Sequence, residues 1–130
     1  MKTVYLASSY SHPDPAVRQA RYEEVTRVAA DIIVSSNGQT MPFAPITHSH
    51  PLFVLRPETG EDFKQWQEFD EWMIRNCNEV WVLTVDGWRE SAGVQAEIRY
   101  ANGIWKPVKY VVLVNSRWAA VLNEEPFSAE

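Results

Sequence analysis

The sequence predicts an α/β fold, with a mainly parallel sheet of four to five strands covered by helices on both faces. Three observations carry that expectation. Short apolar strands alternate with amphipathic helices in the order β-α-β-α-β-α-β. The strand segments are β-branched and aromatic runs, as expected of strands buried between helical layers. The 130 residues, 45% hydrophobic and 22% charged, fit one soluble domain, residues 1–130, able to bury a core without disulfides or metals.

Each element follows from local signals. Residues 3–7, TVYLA, read as a buried strand, and residues 8–15, SSYSHPDP, as a loop. Asp14 followed by Pro15 is an N-cap with proline at the first helical position. The helix it opens runs to about Ser35, with Val25, Val28, Ala29 and Ile32 on one stripe. After a turn at 35–39, residues 40–46 form a short strand ended by its prolines. Residues 47–60, THSHPLFVLRPETG, read as a long functional loop. Thr59 and Asp62 suggest a weak capping box, and a second helix runs to about Asn76. Residues 79–85, EVWVLTV, are the strongest strand. A third helix spans about Ser91 to Asn102, with Ser91 as N-cap and Gly103 at the C′ position. Residues 108–114 are the last strand of the core, about residues 3–114, and the tail from 115 to 130 holds one weak helical turn. The architecture expected is a three-layer flavodoxin-like or Rossmann-like domain. Its ligand site belongs beyond the carboxyl ends of the strands.

Charge and composition exclude several functions. A net charge of −5 opposes binding to a nucleic acid polymer. The single cysteine, Cys77, forms no internal disulfide, and no Cys/His cluster has zinc spacing. The apolar run at the start is too short for a signal peptide, and none is long enough to span a membrane. A cytoplasmic protein without membrane association is the expectation.

Two carboxylates stand out. The second helix carries Phe63, Trp66, Met73 and Cys77 on one stripe, and Asp70 falls on it. A carboxylate there is costly unless paired or used, although a boundary residue reaching water is the ordinary reading. On the third helix Val94, Ile98 and Ala101 make the core stripe. Gly93 and Glu97 lie beside it, one turn apart. Glycine near a helix start suggests close approach of a backbone or ligand. Ser91 and the first free N–H groups suit a phosphate, or a plain cap. Taken alone, Glu97 reads as a solvated helix glutamate. Together, the two carboxylates are the minimum equipment for cleaving a glycosidic bond.

The segments YLASS, FDEWMIRNCNEVWVL and SAGVQAEIRYANGIWKPV resemble the nucleoside 2-deoxyribosyltransferase superfamily, over about residues 3–112. Within it, the chain resembles a small, Trp-rich branch similar to 2′-deoxynucleoside 5′-monophosphate N-glycosidases. The resemblance implies Glu97 as nucleophile, Asp70 as the acid assisting the leaving base, and Tyr5 beside the nucleophile. It implies Ser9 and Ser91 as phosphate-binding serines, with Ser8 and Gly93 in the same region. The Ser at position 91, where nucleoside transferases usually carry an acid, favours a 5′-monophosphate. No arginine lies in the Ser8–Asp14 loop, so Arg18, Arg56 and Arg89 are all candidates for the basic partner. His48 could touch a base or phosphate or face solvent; His50 is equally open. Trp88 and Trp72 could stack on a base or pack as core. The implied activity is N-glycosidic cleavage, or deoxyribosyl transfer, without metal or organic cofactor. A non-catalytic nucleotide-binding module and a glycohydrolase of another N-riboside are alternatives. The partner is a small-molecule nucleoside or nucleotide. A homodimer or higher homo-oligomer is implied, with Phe69, Trp72 and Trp105 compatible with an interface.

Overall fold

A computed structural model describes residues 1–60, 64–115 and 117–126. Its elements in order are β1 (Lys2–Ala7), α1 (Pro15–Ser35), β2 (Thr40–Phe43), α2 (Pro45–Leu55), a single 3-10 turn (Pro57–Thr59), α3 (Gln65–Asn76), β3 (Glu79–Leu83), α4 (Ala92–Gly103), β4 (Val108–Val114) and β5 (Arg117–Leu122). The strands form one sheet in the order β2-β1-β3-β4-β5. The first four are mutually parallel, and β5 is antiparallel to β4. The fold is therefore α/β with a mostly parallel five-stranded sheet, compatible with a three-layer flavodoxin-like architecture.

Strand periodicity builds the two apolar layers. Val4 and Leu6 of β1 and Trp81 and Leu83 of β3 face one side, where they meet Val25, Val28 and Ile32 of α1. Tyr5, Ala7, Val80 and Val82 face the other, against Ile74 of α3 and Val94 and Ala101 of α4. The α1 stripe read from the sequence is thus a buried face. Truncating Ile32, 2% exposed, to alanine would cost about 2–5 kcal/mol. The expected start of α1 is also found: the Asp14 carboxylate accepts from the Ala16 amide at 2.9 Å.

The chain order reverses between β1 and β3, and this sets the site. From β1 the chain passes through α1 to β2 on one side, then returns to β3 on the other. The crevice beyond the carboxyl ends of β1 and β3 is the switch point at which open α/β sheets bind ligands.

Four local expectations are corrected. Residues 47–60 are not a long loop: α2 occupies 45–55 and carries Pro51 inside it. Pro45 occupies the first turn, where no intrahelical N–H is needed, whereas Pro51 lies inside the helix and, lacking an N–H, leaves the carbonyl of Thr47 without its helical bond. Gly103 lies within the end of α4, and the left-handed residue is Trp105, with φ 61°. The tail forms strand β5 instead of a helical turn, because pairing with β4 offers Trp118 and Val121 a core to join. Helix α3 opens at Gln65 without a side-chain cap, while Asp62 and Phe63, named for a cap and a stripe, lie outside the described residues.

Candidate active site

Tyr5 is central to the site. It sits on β1, faces the α3/α4 layer and is fully buried. Its hydroxyl donates to Oε2 of Glu97, 92 residues away on α4. Asp70 of α3 is close enough to perturb both. Three elements from distant parts of the chain thus converge on one polar cluster in an otherwise apolar layer.

The electrostatics of this cluster are unbalanced. Burial pushes the Glu97 carboxyl up to about 8; the Tyr5 hydroxyl pulls it down, and the Asp70 charge pushes it further up. Glu97 keeps some solvent contact as a residue, while its carboxyl is surrounded by protein. Burial pushes Asp70 up to about 7, with the Tyr5 hydroxyl opposing. Burial, then Glu97 and Asp70, raise the Tyr5 phenol well above its ordinary value, so it stays a donor. Among the described residues no basic side chain contributes to either carboxyl's shift. Two such carboxyls share roughly one proton near neutrality, and the titration steps belong to the pair. Glu97 is raised further than Asp70 even though Tyr5 donates to it, so the shared proton rests more on Glu97 in the resting pair. The form with Glu97 bare and the proton on Asp70 is the one that the Tyr5–Glu97 hydrogen bond stabilises.

An aromatic wall borders the cluster. Phe43, at the end of β2, lies 6.0 Å from the Tyr5 ring and 6.3 Å from both His48 and Phe69. His48 stands edge-on to Trp66 at 5.9 Å and tilted to Phe69 at 5.9 Å. His48 is exposed, and Phe69 adjoins Asp70 on α3. Such a surface suits a flat ring system. Misreading α2 as loop hid this wall, because the helix is what brings His48 across to α3.

The other expected site residues divide. Ser9 is buried and donates to the Asp86 carbonyl at 3.1 Å, which ties the loop after β1 to the turn after β3. Ser8 is buried beside it, and its hydroxyl has no partner among the described residues. Ser91 caps α4 by accepting from the Val94 amide at 3.2 Å. A Cβ on Gly93 would meet only Ser91 Oγ, at 3.9 Å, so protein packing does not require glycine there.

Trp88 is not a stacking platform. It is 6% exposed, packs 5.7 Å from Tyr110 in the core and carries Arg89 over its ring. Its hydrophobic surface wins a place in the layer that a loop position did not suggest. His50 is also structural: buried, it bonds Tyr10 and Gln19 and stacks on Tyr22 at 4.4 Å. Burial, aided by Arg18, lowers its pKa, so the neutral ring is favoured.

The candidate arginines are engaged elsewhere. Arg56 pairs with Glu58, Arg89 pairs with Glu125, and Arg18 donates to the carbonyls of His12 and Pro13. Arg21 was missed. Its guanidinium Nη2 would lie 2.9 Å from a Cβ built on Gly87, in the turn beside Ser9. The Asp86-Gly87 turn was visible in the sequence; its neighbour on α1, 66 positions earlier, was not.

Two open clefts share no residue with the carboxylate cluster. One of about 410 Å³ lies between α1 and α2, lined by Tyr22, His50, Val54 and Leu55 among others. Another of about 580 Å³ lies between the end of α4 and the end of β5, lined by Trp105, Lys106 and Glu124 among others. Neither places a reactive pair against an aromatic surface. Among the described residues no group of three His, Cys, Asp or Glu could hold a metal ion, and no helix is long and apolar enough to cross a membrane.

Fold and site define an α/β protein with a buried, unneutralised carboxylate pair near a β1/β3 switch point. The chain belongs to the family described as "Domain of unknown function (DUF1937)", whose model matches residues 2–113 and so includes Tyr5, Asp70 and Glu97. No curated protein matches the chain.

Proposed function

We propose that this protein cleaves the N-glycosidic bond of a 2′-deoxynucleoside or its 5′-monophosphate through a covalent intermediate on Glu97. The observation that carries the reading is the Tyr5–Glu97 hydrogen bond with Asp70 in the same cluster and, among the described residues, no cation to neutralise them. A buried pair that shares one proton can act as nucleophile and general acid once that proton stands on Asp70, the form in which Tyr5 holds Glu97 as the anion. The aromatic wall beside it supplies a surface for the base. The likeness of the YLASS, FDEWMIRNCNEVWVL and SAGVQAEIRYANGIWKPV segments to the nucleoside 2-deoxyribosyltransferase superfamily supports the same choice.

The chemistry balances without a cofactor. Tyr5 holds Oε2 of Glu97 and leaves Oε1 to attack C1′ as the C1′–N bond breaks. The departing base takes the bond's electron pair and the proton of Asp70. The transition state resembles an oxocarbenium ion, which the absent 2′-hydroxyl makes easier to reach. Asp70, now an anion, removes a proton from water as that water attacks C1′, releasing the sugar and restoring Glu97. Entry of a second base in place of water would make the same site a transferase.

The test is chromatography of free base after incubation with each deoxynucleoside, each deoxynucleoside 5′-monophosphate and the matching ribonucleotides. Release from at least one deoxy substrate is expected. Saturable binding with no base released across the whole panel would replace the enzyme with a nucleotide-binding module.

A further inference from the structure

Helices α1 and α2 meet along a polar seam with His50 at its middle. Thr26 and Thr47 share a hydroxyl–hydroxyl bond of 2.8 Å at one end, and Arg18 lies 5.6 Å from the Phe53 ring centre at the other. Positions 18, 19, 22 and 26 share one face of α1, and 47, 50 and 53 share one face of α2. A large apolar side chain could fill the middle of such a seam. The imidazole also joins a third element. Its Nδ1 accepts from the Tyr10 hydroxyl at 2.6 Å, in the loop after β1, while its Nε2–H donates to Gln19 Oε1 at 2.8 Å. Acceptance at Nδ1 requires the neutral ring. Burial and then Arg18 favour that form, with Glu23 opposing, and α2 itself carries no Asp, Glu, Lys or Arg. The open cleft of about 410 Å³ between the two helices includes His50 in its lining, which gives solvent protons a path to the ring.

The same helix carries His48 to the aromatic wall. Two residues apart on an α-helix are about 200° apart around its axis, so the two histidines leave α2 on opposite sides. His48 meets Phe43, Trp66 and Phe69; His50 meets Tyr10, Gln19 and Tyr22. Helix α2 is short, and Pro51 leaves the Thr47 carbonyl without its helical bond, so its placement depends on the seam. We infer that His50 is a positioning residue: by tying α2 to α1 and to the loop after β1, it fixes His48 in the wall beside the carboxylate cluster. Its part in turnover rests on the glycosidase reading above. Protonation would turn Nδ1 into a donor facing the Tyr10 hydroxyl and set a second positive charge beside Arg18, so acid loosens the seam.

The test pairs hydrogen exchange with kinetics. Exchange followed by mass spectrometry reads the protection of residues 45–55 in wild type, His50→Leu and His50→Gln at pH 7 and pH 5, with residues 79–83 as internal reference. His50→Leu keeps bulk and loses both bonds, so protection of 45–55 should fall about 10-fold; His50→Gln, able to keep one bond, should lose about 3-fold. Wild type should lose protection there from pH 7 to pH 5, and the variants should not. In turnover, His50→Leu should raise KM about 10-fold with kcat within about twofold. Wild-type KM should climb toward pH 5 more steeply than that of His50→Gln. Unchanged protection in both variants would overturn the tie. Equal loss across 79–83, or a fall in kcat at unchanged KM, would overturn the positioning role. Should His50→Leu not fold, His50→Gln decides. If wild type turns over no substrate, the glycosidase reading fails while exchange still judges the tie.

Discussion

Glu79 and the Glu97–Asp70 pair lie on opposite faces of the same sheet and are treated in opposite ways. Glu79, at the start of β3, has Lys109 at 3.0 Å, Lys2 at 3.2 Å and the Trp81 indole N–H at 2.8 Å. Burial pushes its carboxyl up, but the bonds from Trp81, Lys109 and Lys2 outweigh that and leave it below its ordinary value. Glu97 and Asp70 have a phenol between them and, among the described residues, no lysine or arginine. One face of the sheet stabilises an anion; the other withholds its counter-charge. A fold able to satisfy Glu79 so fully could have satisfied the pair, so the imbalance is better explained by chemistry than by packing.

The largest effect that would sharpen this contrast is loss of turnover. Glu97→Gln should lower base release at least about 10⁴-fold with the circular dichroism spectrum unchanged, whereas Glu79→Gln should leave it within about twofold. Asp70→Asn should cost about 10²–10⁴-fold. The wild-type pH profile should be bell-shaped with its maximum between about 7 and 8, where the pair holds one proton. Asp70→Asn should lose the alkaline limb. A profile flat from pH 6 to 9 would break the contrast.

Stability should differ in sign. A carboxyl raised in the folded state binds its proton more tightly there, so it penalises folding as pH climbs from its ordinary value of 4.5 toward about 8. Calorimetry should show Tm falling by about 3–8 °C from pH 5 to 8.5, and that fall should shrink in Glu97→Gln. Glu79 is depressed, so its contribution is present above the unfolded value and lost as pH falls through the folded one. Glu79→Gln should therefore cost about 1 kcal/mol at pH 7 and nearly nothing at about pH 3. The smallest effect belongs to the aromatic wall: His48→Ala should raise KM about 3- to 10-fold with kcat nearly unchanged.

Periodicity made much of this legible, because it reports which face of an element is buried. The α1 stripe, the β3 run and the Ser91 cap all follow from local spacing, and so did the suspicion attached to Asp70. What stayed hidden depends on long-range placement. The Tyr5–Glu97 bond joins residues 92 apart, and the likeness to a known family, not the spacing, pointed to it. Arg21 reaches Gly87 only because β1 and β3 are neighbours in the sheet. Helix α2 was concealed by its prolines, and with it the route by which His48 meets Trp66 and Phe69. Trp88 erred the other way: a loop position suggested a surface ring, and tertiary packing buried it.

The central claim is that Glu97 carries the sugar during turnover. Wild-type protein mixed with excess deoxynucleoside 5′-monophosphate and quenched in acid within the first turnovers should show, by intact mass and peptide mapping, a deoxyribosyl phosphate ester on Glu97. The adduct should be absent from Glu97→Gln. Turnover by Glu97→Gln at the wild-type rate, or an adduct mapped to another residue, would contradict the account.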